Sequence, residues 1–256
     1  MINEIAGRLN VLTLHTMNRK RIARIAGLWY LLVIITGMVG MAWVPARLID
    51  ADSAANTLHN IAAQESFFRM GIASSAICFL SFIALPFALY HLLQPVQERF
   101  ALLMVLLALL SVPISLYSLT NKFAILELVH AVQNGTLQET ATVYERLTSL
   151  QQLYDSGIAI AGIFWGLWLL PFGYLVYRSG FLPRIMGMLL IGGGSVYLLN
   201  FFGNILFAGY AASGIGGKLR LLPALAEIGT CSWLLIAGAK NNIQNINNST
   251  DAIQAA

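Results

Sequence analysis

Charged side chains are scarce in this chain: 10% of its 256 residues are Asp, Glu, Lys or Arg, against roughly 25% in an ordinary soluble domain. A soluble domain of this length covers its surface with charge. The shortage excludes a soluble enzyme, a nucleic-acid-binding domain and a disordered regulator. Histidine and cysteine are scarce too. His15, His59, His91 and His130 fall in four different segments, so no i,i+4 ligand pair forms and haem or metal ligation is not expected. Cys78 and Cys231 each stand without a second Cys or a His nearby, which excludes a metal-spacing motif and reads as small packing residues. Gly-x-Ser-x-Gly, His-Glu-x-x-His and a phosphate-binding glycine loop are all missing. No nucleophile–base pair can be assembled, so the expectation is no catalytic residue, no metal and no cofactor.

What the chain has instead is apolar surface. Hydrophobic residues make up 58% of it, and its mean hydropathy is +0.73. Six stretches are long enough to cross about 30 Å of hydrocarbon at 1.5 Å per residue. They run over Ile25–Ala46, Met70–Leu92, Phe100–Thr120, Ser156–Tyr177, Ile185–Phe207 and Leu221–Ala239. Strict alternation is absent, which disfavours a β-barrel. The expected fold is all-α: a polytopic transmembrane bundle of six helices over residues 21–240, between an N-terminal arm (1–20) and a disordered tail (241–256). Met17-Asn18-Arg19-Lys20-Arg21 reads as a natural beginning, which makes residues 1–16 an extension or loose arm.

The formal charge of +4 reads as orientation signal, not as affinity for nucleic acid. Arg19, Lys20, Arg21 and Arg24 stand directly before the first span. With that end inside, nine Lys and Arg lie on the inner side and six on the outer. Both termini are therefore expected in the cytoplasm, with the chain in a bacterial inner membrane. Inner connections are short, at 94–99 and 178–184. Outer ones are longer, and 121–155 is too long for a bare turn. Leu126–Val132 reads as a continuation of the third helix that Asn134-Gly135 ends. Thr136-Leu137-Gln138-Glu139 fits a capping box that opens a short outer amphipathic helix through Val143, Leu147, Leu150 and Leu153.

Glycine and proline carry expectations of their own. Gly162 and Gly166 form a Gly-x-x-x-Gly, and Gly187 with Gly192-Gly193-Gly194 suits close helix approach. Packing within the chain is the first use for them and a homo-oligomer the second. Pro86, Pro113 and Pro171 sit inside helices and each removes a backbone bond.

Polar residues at membrane depth cluster in the outer half. The candidates are Glu65, Arg69, Asn121, Lys122, Asp155, Asn200, Asn204 and Glu227. Glu227 lies seven positions beyond Arg220, hence about 10 Å deep. A carboxylate there is too costly to face lipid, so it turns to protein or water. Arg69 is its first expected partner and Lys122 its second. Either these residues form a salt-bridge network that fixes helix order, or they line a cavity that binds or moves a small polar ligand. The corresponding function classes are a small transporter or ligand-binding protein, and a non-catalytic membrane sensor or assembly component. The partners expected are the lipid bilayer and that ligand.

Several stretches carry a family likeness. They are Arg24-Ile25-Ala26-Gly27-Leu28-Trp29-Tyr30-Leu31, Glu65-Ser66-Phe67-Phe68-Arg69-Met70-Gly71-Ile72, Leu221-Leu222-Pro223-Ala224-Leu225-Ala226-Glu227 and, longest, Gly173 to Gly187. On these residues the chain resembles the bacterial multi-pass membrane family catalogued as domain of unknown function 4386. The resemblance spans about Arg21 to Ala239 and implies a multi-pass membrane protein, with no activity, substrate or cofactor attached. One departure is Trp168, where the fourth helix of that family often carries a His; any role of that His is missing here.

Orientation is open to direct test. A cysteine introduced at Gln138 should react with an impermeant maleimide from outside, and one at Asn245 only after permeabilisation. The reverse pattern would overturn the inside-termini topology.

Overall fold

A computed structural model of the chain describes residues 2–210 and 213–239, with side chains from Arg19 onward. Met1 and the expected tail at 241–256 lie outside the described residues. The elements are α1 (Ile2–Met38), a π-helical turn (Val39–Trp43), α2 (Val44–Leu48), α3 (Ala54–Ala63), α4 (Glu65–Leu93), α5 (Glu98–Gln133), α6 (Ala141–Ser179), α7 (Arg184–Leu206), α8 (Ile215–Leu219) and α9 (Leu221–Ile236). No strand occurs among the described residues. Six segments are long and apolar enough to cross a membrane: Arg19–Leu48, Glu65–Leu93, Glu98–Gln133, Ala141–Ser179, Arg184–Leu206 and Ile215–Ile236. This is the build of a multi-pass membrane protein, with the six spans where the apolar runs put them.

The long helices pack as a closed ring in the order α1, α4, α5, α6, α7, α9 and back to α1. One end of the ring carries the short connections 94–97 and 180–183. The other carries 49–64, 134–140 and 207–220, and is called here the long-loop end. Turn chemistry closes the short connection after α6, where Gly180 takes the left-handed conformation at φ 71°, which costs least in a residue without Cβ. At the other end Gly135, at φ 69°, stops α5 where Asn134-Gly135 was expected to.

α5 and α6 have 36 and 39 residues, hence about 54 and 58 Å of helix at 1.5 Å per residue. That exceeds the hydrocarbon thickness, and the excess builds a second core at the long-loop end. There Leu48, Leu58, Ile61, Leu126, Val129 and Leu147 are buried together. The short amphipathic helix at this end is α3. Ser53 caps it, its Oγ accepting from the Asn56 N–H at 3.1 Å. Asp50 precedes it and accepts from Asn56 Nδ2 at 2.8 Å; that bond, and a further one from the Asp52 N–H, hold its carboxyl below the usual range. The segment 143–153, read in the sequence as a separate capped helix, is instead the first third of α6. Its N-cap is Thr140, without a side-chain cap bond. Glu139 turns away from the capping-box role to accept from Tyr144 Oη and to meet His59 Nε2 at 3.0 Å.

Lipid offers little hydrophobic drive between helices, so close backbone approach through small residues holds such bundles together. The α6–α7 seam follows this rule at two levels. A Cβ on Gly166 would stand 2.8 Å from the Gly194 carbonyl oxygen, and one on Gly173 would stand 2.6 Å from that of Gly187. Gly166 therefore packs within the chain, while Gly162 has no neighbour within 4 Å of where its Cβ would be. The two cysteines do not meet. Cys78 Sγ donates to the Val33 carbonyl at 3.4 Å and Cys231 Sγ to that of Gly27 at 3.6 Å. Both remain free and buried.

The glycine seam predicts unequal tolerance. Gly173→Val should destabilise the protein by about 1–3 kcal/mol through overpacking, read as a lower Tm in detergent. Gly162→Val should stay within about 0.5 kcal/mol of wild type. Equal losses would show that the seam does not hold the bundle.

Candidate functional site

The structure divides the eight polar candidates among four places. Glu65 and Arg69 pair with each other across one turn of α4, Arg69 Nε to Glu65 Oε1 at 2.6 Å. Glu65 Oε2 also meets His130 Nε2 at 3.0 Å. This group lies at the long-loop rim with its side chains part-exposed. Asn200 and Asn204 form a second group near the end of α7. Asn204 Nδ2 donates to the Asn200 carbonyl at 2.7 Å, and Tyr210 Oη donates to Asn200 Oδ1 at 2.7 Å, pinning the loop after α7.

Lys122 makes the third. It is buried, and its Nζ donates to the Gly40 carbonyl at 3.1 Å while standing 4.2 Å from the Tyr154 ring centroid. Gly40 lies in the π-helical turn, where the i→i−4 ladder is interrupted. The lysine supplies a carbonyl there with a donor that water cannot provide inside a bundle. Gly40 also lets the turn close on α4, since a Cβ would fall 2.7 Å from the Ser75 backbone nitrogen. Asn121, beside Lys122, donates within its own helix to the Ser118 carbonyl at 3.1 Å. Asp155 is exposed on α6 and enters no ion pair among the described residues.

Glu227 stands apart from all of these. Neither Arg69 nor Lys122 reaches it, and the expected ion pair is replaced by two phenols. Tyr30 Oη donates to one carboxylate oxygen at 3.1 Å and Tyr197 Oη to the other at 3.4 Å. Helical rise gave a coarse depth and no direction around the helix. α1 stands between α4 and α9 in the ring, and α4 meets the Glu227 cavity at Cys78, Phe79 and Phe82, more than two turns beyond Arg69, so Arg69 and Glu227 share neither a face nor a level.

Glu227 lines a cavity of about 410 Å³ at the junction of α1, α4, α6, α7 and α9. α1 contributes Val33, Ile34, Gly37 and Met38; α4 contributes Cys78, Phe79 and Phe82. The floor is aromatic. Trp168 meets Phe82 edge-on at 5.1 Å and Tyr30 at 6.4 Å, and Trp165 meets Tyr197 at 6.5 Å. α1 and α9 touch near the short-loop end, where a Cβ on Gly27 would stand 2.9 Å from Leu235. Toward the long-loop end they part, and Met38 and Ile228 at the mouth are 59% and 48% exposed, so the cavity opens sideways, to where lipid would lie. Sequence reasoning missed Tyr30, Tyr197 and both tryptophans as site residues, because a search for a charged partner passes over hydroxyls. No local signal in the sequence joins those residues to Glu227, because α1 and α7 flank α9 only through the closed ring. A second hollow, of about 510 Å³, lies at the short-loop end between α1 and α4, with Arg19 and His91 on its wall.

A family model, Domain of unknown function (DUF4386), matches residues 25–238. The chain belongs to that family. The match takes in five of the six spans whole, the first from Ile25 onward, and every lining residue of the Glu227 cavity. An uncharacterized protein of Archaeoglobus fulgidus is 26% identical over 153 residues, which is 60% of this chain and 74% of that protein. No solved structure matches.

These contacts predict which substitutions couple. Lys122→Met leaves the Gly40 carbonyl without its donor and should cost about 1–3 kcal/mol in thermal unfolding. Arg69→Met and Glu227→Gln share no partner and should add to within about 0.5 kcal/mol in the double variant. A coupling well beyond that would restore the direct ion pair and overturn the assignment of Glu227 to the two tyrosines.

Proposed function

We propose that this DUF4386 protein binds a small ligand with a polar head and an apolar body inside the membrane, in the Glu227 cavity, as a carrier or receptor for it. One observation carries the reading: a hollow of ligand size has apolar and aromatic walls and a single carboxylate set into them. Small-molecule sites are concave and mostly apolar, with a few placed polar groups that fix orientation, and range over roughly 300–1,000 Å³. An ionisable residue kept at membrane depth is costly and is characteristically tied to function. With both termini cytoplasmic in a bacterial inner membrane, the mouth between Met38 and Ile228 would open toward the outer leaflet.

A second reading, in which the polar residues only fix the bundle, is favoured at the three other groups. Glu65 with Arg69, Lys122 with Gly40, and Asn200 with Tyr210 are each partnered by protein. For them the structural role accounts for the residues, which narrows the ligand-binding proposal to Glu227.

The cavity reading is tested with a neutral aromatic probe, triphenylphosphine oxide, and the variant Ala224→Trp. Ala224 lines the cavity and is exposed, so an indole there blocks the mouth without disturbing the core. A saturating probe should raise the Tm of wild type by several degrees through preferential binding to the folded state, and that of the variant little. No rise in wild type, or equal rises, would overturn the cavity as a ligand site.

A further inference from the structure

We propose that the ligand head carries a positive charge: the Glu227 cavity is a site for an amphiphilic organic cation, an ammonium or phosphonium with apolar substituents. The inference rests on the cavity reading above and adds the charge of the occupant. Glu227 is the only charged side chain in the cavity wall, and it joins no ion pair among the described residues. Its two partners are neutral phenols, each using one lone-pair site. An ionised carboxylate has about four such sites, so acceptor capacity is left over beside the hollow. An anionic head would be repelled there, and a neutral donor would leave the charge uncompensated in a low-dielectric setting. A cation compensates it. The aromatic floor adds to the preference, because the faces of Trp, Tyr and Phe attract cations, most strongly when desolvated. Here Tyr30, Phe82, Trp165, Trp168 and Tyr197 surround the carboxylate level.

Electroneutrality then makes proton and cation alternatives at one carboxylate. The titratable groups facing Glu227 are Tyr30 from α1, Cys78 from α4 and Tyr197 from α7, with Cys231 on its own helix; α6 offers only Trp165 and Trp168. Phenols and thiols are ordinarily neutral below about pH 8. Between pH 5 and 7.5 a change in cation affinity therefore reports on Glu227.

The test compares methyltriphenylphosphonium with triphenylphosphine oxide, similar in shape and different in charge, by equilibrium binding to the full chain in detergent. Wild type should bind the cation at least tenfold more tightly than the neutral probe, and lose cation affinity as pH falls. Glu227→Gln should erase the difference while leaving the neutral affinity unchanged, and Glu227→Asp should keep part of it. The neutral probe bound by Glu227→Gln doubles as evidence that this variant folds. Equal, pH-independent binding of both probes to wild type overturns the cationic ligand and leaves the cavity reading standing. Binding of neither probe removes the cavity reading itself. Competition by dodecyltrimethylammonium alone identifies a free amphiphilic cation as the natural class, and competition by dihexanoylphosphatidylcholine as well identifies a lipid headgroup.

Discussion

Inside hydrocarbon a backbone carbonyl that leaves its helix ladder cannot turn to water, and the arrangement of this bundle around α1 follows from that constraint. The first span does not run straight to its end. It passes through a π-helical turn over Val39–Trp43 before Pro45 starts the last short helix, and the Gly40 carbonyl is taken by Lys122 from the far side of the ring. The lysine is buried to make that bond, and the ring of Tyr154 lies against its ammonium. α1, α5 and α6 are tied together at one level, and the second core at the long-loop end begins there. Gly40 and Gly71 make the same level tight, with Ser75 and Val44 filling the space that their side chains would take. Three helices fixed at that level leave the other side of the ring, around α9, to differ.

The six spans were legible because hydropathy is a local sum. Any stretch of about twenty apolar residues bounded by Arg24, Arg69, Arg184 or Arg220 reads as a helix of membrane length, whatever it packs against. Asn134-Gly135 and Gly180 were legible for a similar reason, since each is a chain-local stop signal. The amphipathic segment at 143–153 was read as a helix of its own because its pattern begins after a plausible capping box. Nothing in the pattern marks where it would stop, however, and the chain carries it into the fourth span as one helix. The π-helical turn left no signal except Pro45, which alters the ladder behind it without saying how.

The candidate site was legible in one coordinate only. Counting residues placed Arg69, Lys122 and Glu227 in the outer half or at its boundary, and in the structure Arg69 and Lys122 lie toward the long-loop end while Glu227 sits deeper, beside Tyr30. Which of them meet depends on the angle of each side chain around its own axis and on the order of helices in the ring. Those are properties of the whole bundle. Arg69 finds Glu65 one turn away because an i,i+4 pair needs no tertiary structure at all. Lys122 finds Gly40 because the π-helical turn sends the Val44 N–H to the Val39 carbonyl and Pro45 has no N–H, which frees the carbonyl of Gly40. Glu227 is left with hydroxyls from two helices that become its neighbours only when the ring closes.

That closure is where a cavity can exist without loosening the fold. α6 and α7 approach until glycine carbonyls would touch an added Cβ, so their seam has no room to spare. α9 has 16 residues, against 36 and 39 for α5 and α6, and packs chiefly on α7 and α1. It is held to α1 near the short-loop end by Leu235 over Gly27 and by the Cys231 thiol on the Gly27 carbonyl. Beyond that point the two helices separate, and the gap is spanned by Tyr30 reaching to Glu227 instead of by apolar contact. Large-to-small vacancies in a packed interior cost stability, and a hollow next to a carboxylate is a poor place to accept such a cost for packing alone. A rigid wall of α6 and α7, a thinly held wall of α9 and a charged group between them put the open volume where an occupant could exchange with the bilayer while the glycine seam and the Lys122 level keep the rest of the ring in register.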